Sequence, residues 1–360
     1  MKKKKILHIL RTYSLHGGER QLAKVLTQNK FFNNIFLDIY NDVEIKKFYS
    51  KKKIKYISLN NFYIKPKNFI IEITISFFFM IINMKKILKI LKNNNIDIVL
   101  CHGIQSAIII QIAMFFSKKN INFYYMHRIL KHYRSYDFLS RIIYKRFKLI
   151  LCNSKAVKKS LHAFCDKKKI KVINNAVNSY QSLRFKKGKK NVVSIARLEK
   201  RKNILFLIRA FDKFQKKNLN YNLLLVGNGP ERKILNDFVN QNKIKNVRFL
   251  GYKKNIIKYL NNCRIFVHAS LFEGMSNSVL EAMALGRPSV VINSPGVSEL
   301  HIHNKTGFVS KANINKFANF MDQLANNEHL QKKFFKYSRQ RVEKNYSIKK
   351  TLLSYNRYLN

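Results

Sequence analysis

Short runs rich in β-branched residues alternate with longer segments of helical periodicity along the 360-residue chain. The strand candidates of the first half are Lys5–Leu10, Ile35–Tyr40, Asp97–Cys101, Asn122–Met126, Leu149–Cys152 and Lys171–Ile173. Those of the second half are Val192–Ala196, Asn222–Val226, Val247–Leu250, Ile265–His268 and Ser289–Ile292. Between them, apolar residues recur every three or four positions, as in Asn203–Lys217. This alternation predicts an α/β protein with parallel sheets covered by helices.

The alternation stops between about Asn178 and Lys190, in a polar, lysine-rich stretch that contains Gly188. A new strand candidate follows directly, so we place a domain boundary in this stretch. We expect an N-terminal Rossmann-like domain over residues 1–180, a C-terminal one over residues 190–340 and a tail helix over residues 341–360. Two doubly wound domains would bind ligands at the carboxyl ends of their strands.

The composition is strongly basic, with 71 Lys and Arg against 18 Asp and Glu and a formal charge of +53. Two explanations stay open: codon bias that inflates Lys, Asn and Ile together, or a selected contact with an anionic partner. The scarcity of acidic residues makes those in apolar stretches informative, above all Glu273, Glu281 and Glu299. The four cysteines are scattered without a C-x-x-C pair, which favours buried thiols in a reducing compartment.

Neither a secretory signal nor a membrane span is expected. The apolar run Ile6–Leu10 is interrupted by His8 and is too short for a signal-peptide core, and Ile73–Ile82 is shorter than the roughly 20 residues that span a bilayer. The following segment, Met84–Lys92, places apolar residues on one helix face and lysines on the other. It is either an ordinary surface helix or a contact with an anionic membrane. We expect a cytoplasmic protein, with peripheral attachment to the inner membrane face as the alternative.

Three turns between a strand and a helix carry candidate ligand contacts. Gly17 and Gly18 follow the first strand, and Gly227 and Asn228 follow Asn222–Val226. Glycine lets the backbone approach a ligand closely, and the amides at a helix start attract anions. The need for a tight turn also explains the glycines without a ligand. After Val192–Ala196 come Arg197 and Lys202, which suit a diphosphate unless they are ordinary surface charges.

The most specific segment runs from Leu271 to Pro288. Here a strand ends, a loop carries Glu273, and a helix begins at about Ser276, where the small polar side chains of Ser276, Asn277 and Ser278 are expected to cap its start. Two carboxylates eight positions apart, Glu273 and Glu281, suit recognition of vicinal sugar hydroxyls. The residues predicted to contact a ligand in this segment are Glu273, Gly274, Met275, Ser276, Asn277, Ser278 and Glu281.

With these motifs the chain resembles the retaining glycosyltransferases of family 4, whose GT-B fold has two facing Rossmann-like domains and a C-terminal helix that crosses back to the first. The resemblance covers nearly the whole chain and is strongest from Val192 to Phe308. It implies that Glu273 contacts the donor sugar, that Glu281 holds the nucleotide ribose, and that Arg197 and Lys202 grip the diphosphate.

The resemblance also assigns residues outside that segment. It implies that Gly227 and Asn228 belong to the nucleotide-side loop, that Gly17 and Gly18 lie beside the donor phosphates, and that His127 is an active-site histidine. Without the resemblance, His127 would be interpreted as a core or surface histidine. Departures from the family pattern are His16, Ala176 and Asn178, and they concern the first domain.

The sequence has no Asp-x-Asp pair to hold a divalent ion on a diphosphate. We therefore expect no metal cofactor, with Arg197, Lys202 and helix-end amides meeting the phosphate charge instead. The expected partners are a nucleotide-sugar donor and a sugar or lipid-linked glycan acceptor, and no nucleic acid is expected. The alternatives are a nucleotide-sugar epimerase of the same fold, a basic nucleic-acid-binding protein and a non-catalytic family member.

Overall fold

The structure, a computed structural model, describes residues 3–10, 15, 17–40, 42–61, 69–116, 120–130, 137–180 and 182–360. The chain forms two compact units: unit 1 contains Met1–Ala176 and Thr351–Asn360, and unit 2 contains Val177–Lys350. The chain passes from one unit to the other at Ala176, just before the predicted lysine-rich boundary. That stretch belongs to unit 2, where the backbone of Gly188 packs against the backbone of Cys263.

Unit 1 contains a seven-stranded parallel sheet in the order β3-β2-β1-β4-β5-β6-β7. Its strands are β1 Lys5–Leu10, β2 Asn33–Tyr40, β3 Lys55–Asn61, β4 Ile98–His102, β5 Asn122–His127, β6 Leu149–Cys152 and β7 Ile170–Val172. Its helices are α1 Gly17–Gln28, α2 Val43–Lys51, α3 Phe69–Asn93, α4 Ile104–Phe116, α5 Asp137–Lys145 and α6 Lys155–Leu161. The strand order reverses beside β1, where β2 and β4 flank it. Such a switch point opens a crevice at the carboxyl ends of the strands.

Unit 2 repeats the architecture with six parallel strands in the order β10-β9-β8-β11-β12-β13. These are β8 Lys189–Ile195, β9 Asn222–Val226, β10 Val247–Gly251, β11 Cys263–His268, β12 Ser289–Ile292 and β13 Phe308–Ser310. The helices are α7 Ile204–Gln215, α8 Arg232–Gln241, α9 Ile257–Asn261, α10 Asn277–Ala284, α11 Ile314–Asn326 and α12 Glu328–Tyr346, and α13 Ile348–Leu359 ends the chain. The predicted α/β class with two parallel sheets is confirmed.

Alternating strand residues place apolar side chains on both faces of the unit 2 sheet. Val192 and Ile265 pack into a cluster with Phe211 of α7 and Phe317 of α11. Their neighbours Val193 and Phe266 point to the other face and pack with α10 and α12. Burial on both faces explains why these strands are continuous apolar runs, which made them visible in the sequence.

Within the predicted tail, residues 341–360, α12 ends at Tyr346 and α13 begins at Ile348. Ser347 has an extended backbone, with φ −67° and ψ 152°, and forms a parallel bridge with Val177. The backbone N–H of Val177 donates to the Tyr346 carbonyl at 3.0 Å. This pairing interrupts the helix at Ser347, and the chain after Lys350 belongs to unit 1.

The apolar run Ile73–Ile82 and the basic segment Met84–Lys92 form the single helix α3. Its buried side includes Ile87 and Leu91, as the periodicity predicts, whereas Phe78, Ile81 and Ile82 are 62%, 57% and 58% exposed. Across the described parts of the chain, no helix combines the length and the apolar character needed to cross a membrane.

Candidate functional site

The Glu273 carboxylate lies among hydrogen-bond donors at the carboxyl end of the unit 2 sheet. It is 8% exposed and sits in the loop between β11 and α10. Its Oε1 accepts from Lys202 Nζ and from Ser270 Oγ, the latter at 2.9 Å. Its Oε2 accepts from Arg201 Nη1 at 3.2 Å. Glu273 therefore holds together the segment after β8 and the loop after β11.

His268, the last residue of β11, is the remaining member of this network. Its Nε2 lies 3.5 Å from Glu273 Oε1 and 3.2 Å from Ser276 Oγ. Ser276 is the N-cap residue of α10, but its side chain makes no capping hydrogen bond. The predicted side-chain cap is therefore wrong at Ser276, because its hydroxyl is directed to His268 and Ser278.

The network keeps the Glu273 carboxyl ionised. Burial alone would raise its pKa, but hydrogen bonding from His268 and the charge of Lys202 outweigh burial and hold the pKa well below its usual range. Burial lowers the pKa of Lys202, and the Glu273 charge opposes that shift. Burial also lowers the pKa of His268, which favours a neutral imidazole at pH 7. The site is thus a buried ion pair beside a neutral histidine.

Glycines at positions without room for a side chain shape the loops around this network. Gly296 has φ +72°, and a Cβ there would lie 2.0 Å from the Glu273 carbonyl oxygen. Gly227 has φ +144°, and its Cβ would lie 1.9 Å from the Ala196 carbonyl oxygen. Both positions are therefore required by backbone packing as well as by backbone conformation. In the loop after β9, the Asn228 carbonyl accepts from the backbone N–H of Leu198 at 3.0 Å.

The other predicted residues of unit 2 take less buried positions. Arg197 has a side chain that is 58% exposed, and its Nε lies 3.6 Å from Glu199 rather than on Glu273. Glu281 lies on α10, and its charge adds to burial, the larger cause, in raising the pKa of Tyr180. Met275 is buried, whereas Gly274, Asn277 and Ser278 are half-buried around the start of α10. Of the predicted set, the structure brings together Lys202, Glu273 and Ser276.

The predicted glycine turn of unit 1 forms the start of α1. The helix begins at Gly17 and therefore includes both glycines. Its first turn is held from outside: the Gly18 carbonyl accepts from Arg128 Nη1 at 2.8 Å, and the Glu19 carbonyl accepts from the Tyr49 hydroxyl at 3.1 Å. His16, a departure from the family pattern, lies outside the described residues.

His127 ends β5 beside two buried phenols. Its Nδ1 lies 3.4 Å from the hydroxyls of both Tyr125 and Tyr144, at the long end of the hydrogen-bonding range. Burial raises the pKa of both tyrosines, so each keeps its proton. A phenol that donates to Nδ1 favours the tautomer with the proton on Nε2.

Sequence reasoning missed Arg201, His268 and Ser270 as parts of the site. Arg201 is one of three consecutive basic residues, so spacing alone did not distinguish it from its neighbours. His268 and Ser270 lie at the carboxyl end of β11, and that position in a parallel sheet was the available signal. In the described part of the chain, no group of three or more His, Cys, Asp or Glu side chains is arranged to hold a metal ion.

Two family models match adjoining parts of the chain. The model for glycosyl transferases group 1 matches residues 178–341, and the model for glycosyltransferase family 4 matches residues 59–180. The first match covers most of unit 2 and includes the Glu273 network. The second lies in unit 1 except for its last residues.

Two curated relatives are about 30% identical over part of their length. The capsular polysaccharide biosynthesis glycosyltransferase CapM of Staphylococcus aureus is 30% identical over 158 residues, which is 42% of this chain and 41% of CapM. A Campylobacter jejuni N-acetylgalactosamine-N,N'-diacetylbacillosaminyl-diphospho-undecaprenol 4-alpha-N-acetylgalactosaminyltransferase is 31% identical over 157 residues, 41% of this chain and 42% of that enzyme. The chain therefore spans about two-fifths of the length of each relative.

The fold has solved counterparts along its whole length. Anabaena HepE, in a crystal structure with UDP-glucose, matches with a TM-score of 0.81 and covers 99% of both chains at 17% identity. At this identity the likeness shows the fold alone, and it confirms the predicted GT-B class.

Proposed function

Because the chain belongs to the family 4, group 1 glycosyltransferases, we propose that it transfers a hexose from a nucleotide sugar to an acceptor hydroxyl. The observation that carries this proposal is the buried, ionised Glu273 carboxylate beside Lys202 at the carboxyl end of the unit 2 sheet. A carboxylate accepts from sugar hydroxyls, and an ammonium group stabilises phosphate oxygens. CapM acts in capsular polysaccharide biosynthesis, and this chain acts in a comparable glycan synthesis.

The proposed reaction retains the anomeric configuration and uses no metal. The acceptor oxygen forms a bond to the anomeric carbon while the bond from that carbon to the diphosphate oxygen breaks. The acceptor proton passes to the departing phosphate oxygen on the same face of the sugar. Lys202, Arg197 and helix-end amides stabilise the charge that develops on the diphosphate. Glu273 orients the sugar, Glu281 binds the ribose, and His127, Gly17 and Gly18 keep the roles assigned by the family resemblance.

The first test is ligand-observed binding to a panel of UDP, GDP and ADP sugars. We expect one nucleotide sugar to bind, and Glu273→Ala or Lys202→Ala to weaken it by about 100-fold, because each removes a charge-assisted contact. Lys200→Ala removes an exposed lysine from the same segment and is the matched control. Failure to bind any nucleotide sugar, or tighter binding to an oligonucleotide at physiological salt, would contradict the proposal.

A second measurement separates transfer from epimerisation. Turnover of the bound nucleotide sugar with an acceptor yields a nucleoside diphosphate and a glycoside, whereas an epimerase yields a new nucleotide sugar. Nuclear magnetic resonance of the anomeric proton reports both outcomes and the anomeric configuration. An inverted product would contradict the retaining mechanism while leaving glycosyl transfer in place. Loss of activity on addition of a chelator would contradict metal independence.

The acceptor side is proposed to work at an anionic membrane. The exposed residues of α3 follow one another at helical spacing, first Phe78 and Ile82, then Lys85, Lys89 and Lys92. Apolar side chains that enter the lipid boundary beside lysines that meet anionic headgroups are typical of an interfacial helix. The Campylobacter jejuni relative has a diphospho-undecaprenol acceptor in its name, which suits the same location for a lipid-linked acceptor here.

Vesicle sedimentation tests the membrane contact without a donor or an acceptor. We expect binding to vesicles that contain phosphatidylglycerol and little binding to pure phosphatidylcholine, with loss of binding in the double variant Phe78→Ser, Ile82→Ser. Leu219 of unit 2 is 74% exposed, so Leu219→Ser is the matched control for loss of an exposed apolar side chain. Equal sedimentation of all variants with both lipids would contradict the contact.

A further inference from the structure

The Glu273 carboxylate is already surrounded by hydrogen-bond donors from its own unit. Its Oε1 accepts from Lys202 Nζ and Ser270 Oγ, and His268 Nε2 lies 3.5 Å away. Of the described residues, only Arg201 donates to Oε2, through Nη1 at 3.2 Å. A carboxylate oxygen offers about two lone-pair sites, so Oε1 is filled and Oε2 keeps one site open. Two vicinal sugar hydroxyls can therefore bind Glu273 only if one of these donors leaves.

The donors at Oε1 are buried and are held by their own segments. His268 ends β11 and Ser270 follows it, and the Ser270 carbonyl accepts from Ser294 Oγ at 2.6 Å. The Lys202 side chain is 11% exposed, and its ammonium has three N–H groups, so it can contact a phosphate oxygen without leaving Glu273. Removal of a donor from Oε1 would leave buried polar groups unpaired, which is unfavourable.

Arg201 differs from these donors because it is exposed and has a second partner. Its side chain is 41% exposed, against 10% for Glu273, so it is the partner of the carboxylate that faces solvent. Its Nε lies 2.7 Å from Oε1 of Glu199, two residues earlier in the chain. An exposed ion pair is weak compared with a buried one. Arg201 can therefore leave Glu273 and stay paired with Glu199.

We propose that Arg201 is a displaceable partner of Glu273: it occupies Oε2 in the free protein, and hydroxyls of the donor sugar replace it when the donor binds. This inference rests on the proposed function, in which Glu273 orients the sugar. Lys202 stays on Oε1 during the exchange, and the displaced guanidinium stays on Glu199. After transfer, the sugar is gone and Arg201 returns to Oε2, so the buried carboxylate always keeps its full set of donors.

The test compares a nucleotide sugar with its nucleoside diphosphate, which lacks the sugar. The nucleotide sugar is the one that binds in the panel of UDP, GDP and ADP sugars, and calorimetry gives both dissociation constants. The ratio of the diphosphate constant to the nucleotide-sugar constant reports the sugar contacts alone. We expect Arg201→Gln to raise this ratio about fivefold, because no ion pair has to be displaced. Lys200→Ala, which removes an exposed charge from the same segment, should leave the ratio unchanged.

Glu199→Gln is the reciprocal variant. It weakens the second partner of Arg201, so the guanidinium should hold Glu273 more tightly and the ratio should fall. Glu199 Oε2 also lies 3.6 Å from Arg197 Nε, and any effect of Arg197 on the diphosphate is shared by both ligands and cancels in the ratio. In the Arg201→Gln background, the Glu199 substitution should not change the ratio further, because the guanidinium is absent.

Each result decides the proposal. If Arg201→Gln weakens both ligands alike, Arg201 contacts the diphosphate and the proposal is wrong. It is equally wrong if the ratio falls in Arg201→Gln, which would make Arg201 a support for the sugar-binding carboxylate, or if the ratio stays the same. These three results leave the proposed function in place. Absence of binding to every nucleotide sugar would instead contradict the proposed function and this inference together.

Discussion

The two units present similar sheets but bury their ionisable side chains in different ways. In unit 2 the buried Glu273 carboxylate is paired with Lys202 and Arg201, and opposite charges offset the cost of burial. In unit 1, His8 within β1 and His102 at the end of β4 are buried beside each other, and burial lowers the pKa of both. The same architecture therefore buries an ion pair beside a neutral histidine in unit 2 and two neighbouring neutral histidines in unit 1.

This difference predicts how the stability of each unit responds to the loss of a charged partner and to pH. Removal of one member of a buried ion pair strongly destabilises the protein, because the other charge stays buried without a partner. A neutral histidine makes no such demand, but it is sensitive to pH. Removal of one member of the ion pair should therefore lower the free energy of unfolding of unit 2 and leave unit 1 unchanged. Acidification should lower the stability of unit 1 through its neutral histidines.

The largest effect is expected for Lys202→Ala. The side chains of Lys202 and Glu273 are 11% and 10% exposed, so the variant leaves a buried carboxylate without its closest cation. We expect the free energy of unfolding of unit 2 to fall by about 3–5 kcal/mol. Denaturant titration followed by hydrogen exchange in each unit measures it. Unit 1 and the Lys200→Ala control should be unchanged, and a loss below 1 kcal/mol would show that Arg201 and His268 suffice to hold Glu273.

The next effect concerns the glycine that supports the Glu273 loop. In Gly296→Ala, the new Cβ meets the Glu273 carbonyl and the residue keeps an unfavourable positive φ, so we expect a loss of about 3 kcal/mol in unit 2. Gly251→Ala shares the positive φ, +69°, but its Cβ would meet only the Arg232 side chain, at 3.4 Å. This control should lose about 1 kcal/mol. Equal losses would mean that backbone conformation, and not the contact with Glu273, determines the cost.

These two sites show what the sequence made predictable. The Glu273 loop and Lys202 were visible because a buried parallel strand is a continuous apolar run, so the residues after it can be located. β3, which forms an edge of the unit 1 sheet, and the three-residue β13 were missed, because Lys55–Asn61 is half polar and Phe308–Ser310 is too short for a period to emerge. Arg201 and Lys202 contact Glu273, whereas Lys200 is exposed. The direction of these side chains depends on the tight turn at Asn203, with φ +52°, and this turn cannot be predicted from the spacing of residues.

The histidines of unit 1 give a smaller effect, which depends on pH. Burial lowers the pKa of His8 from its usual 6.5 to about 4. Between pH 6.5 and about pH 4, His8 binds a proton in the unfolded chain but not in the folded one. The contribution of His8 to the stability of unit 1 is therefore complete above pH 6.5 and decreases until about pH 4. Between pH 7 and pH 5 we expect a loss of about 2 kcal/mol. Unfolding of unit 1 measured at both pH values checks it.

The variant His8→Gln sharpens this comparison. It removes the titrating group while it keeps a polar side chain beside Asn34, so the fall in unit 1 stability between pH 7 and pH 5 should become shallower. Unit 2 has buried histidines of its own, His268 and His301, and burial lowers the pKa of both, that of His301 to about 3. The stability of unit 2 should therefore fall in the same direction in both proteins. A pH profile of unit 1 that is the same with and without His8 would assign the acid sensitivity to other groups, such as His102, whose pKa burial also lowers.

The smallest effect on stability is expected for Gly18→Ala, and this variant tests directly whether the glycine serves a ligand. A Cβ at Gly18 would have its nearest neighbour, Arg128 Nη1, at 3.7 Å, an ordinary contact, whereas Gly227 and Gly296 have no room for one. Gly18→Ala lies inside α1 and should stabilise unit 1 by up to about 1 kcal/mol, since alanine is the better helix former. Packing therefore gives no reason for glycine at this position, and a ligand that must approach the backbone does. If Gly18→Ala folds at least as well as the wild type but weakens nucleotide-sugar binding, the glycine serves the donor, whereas unchanged binding would remove the Gly17–Gly18 turn from the proposed site and leave the Glu273 network to hold the donor without it.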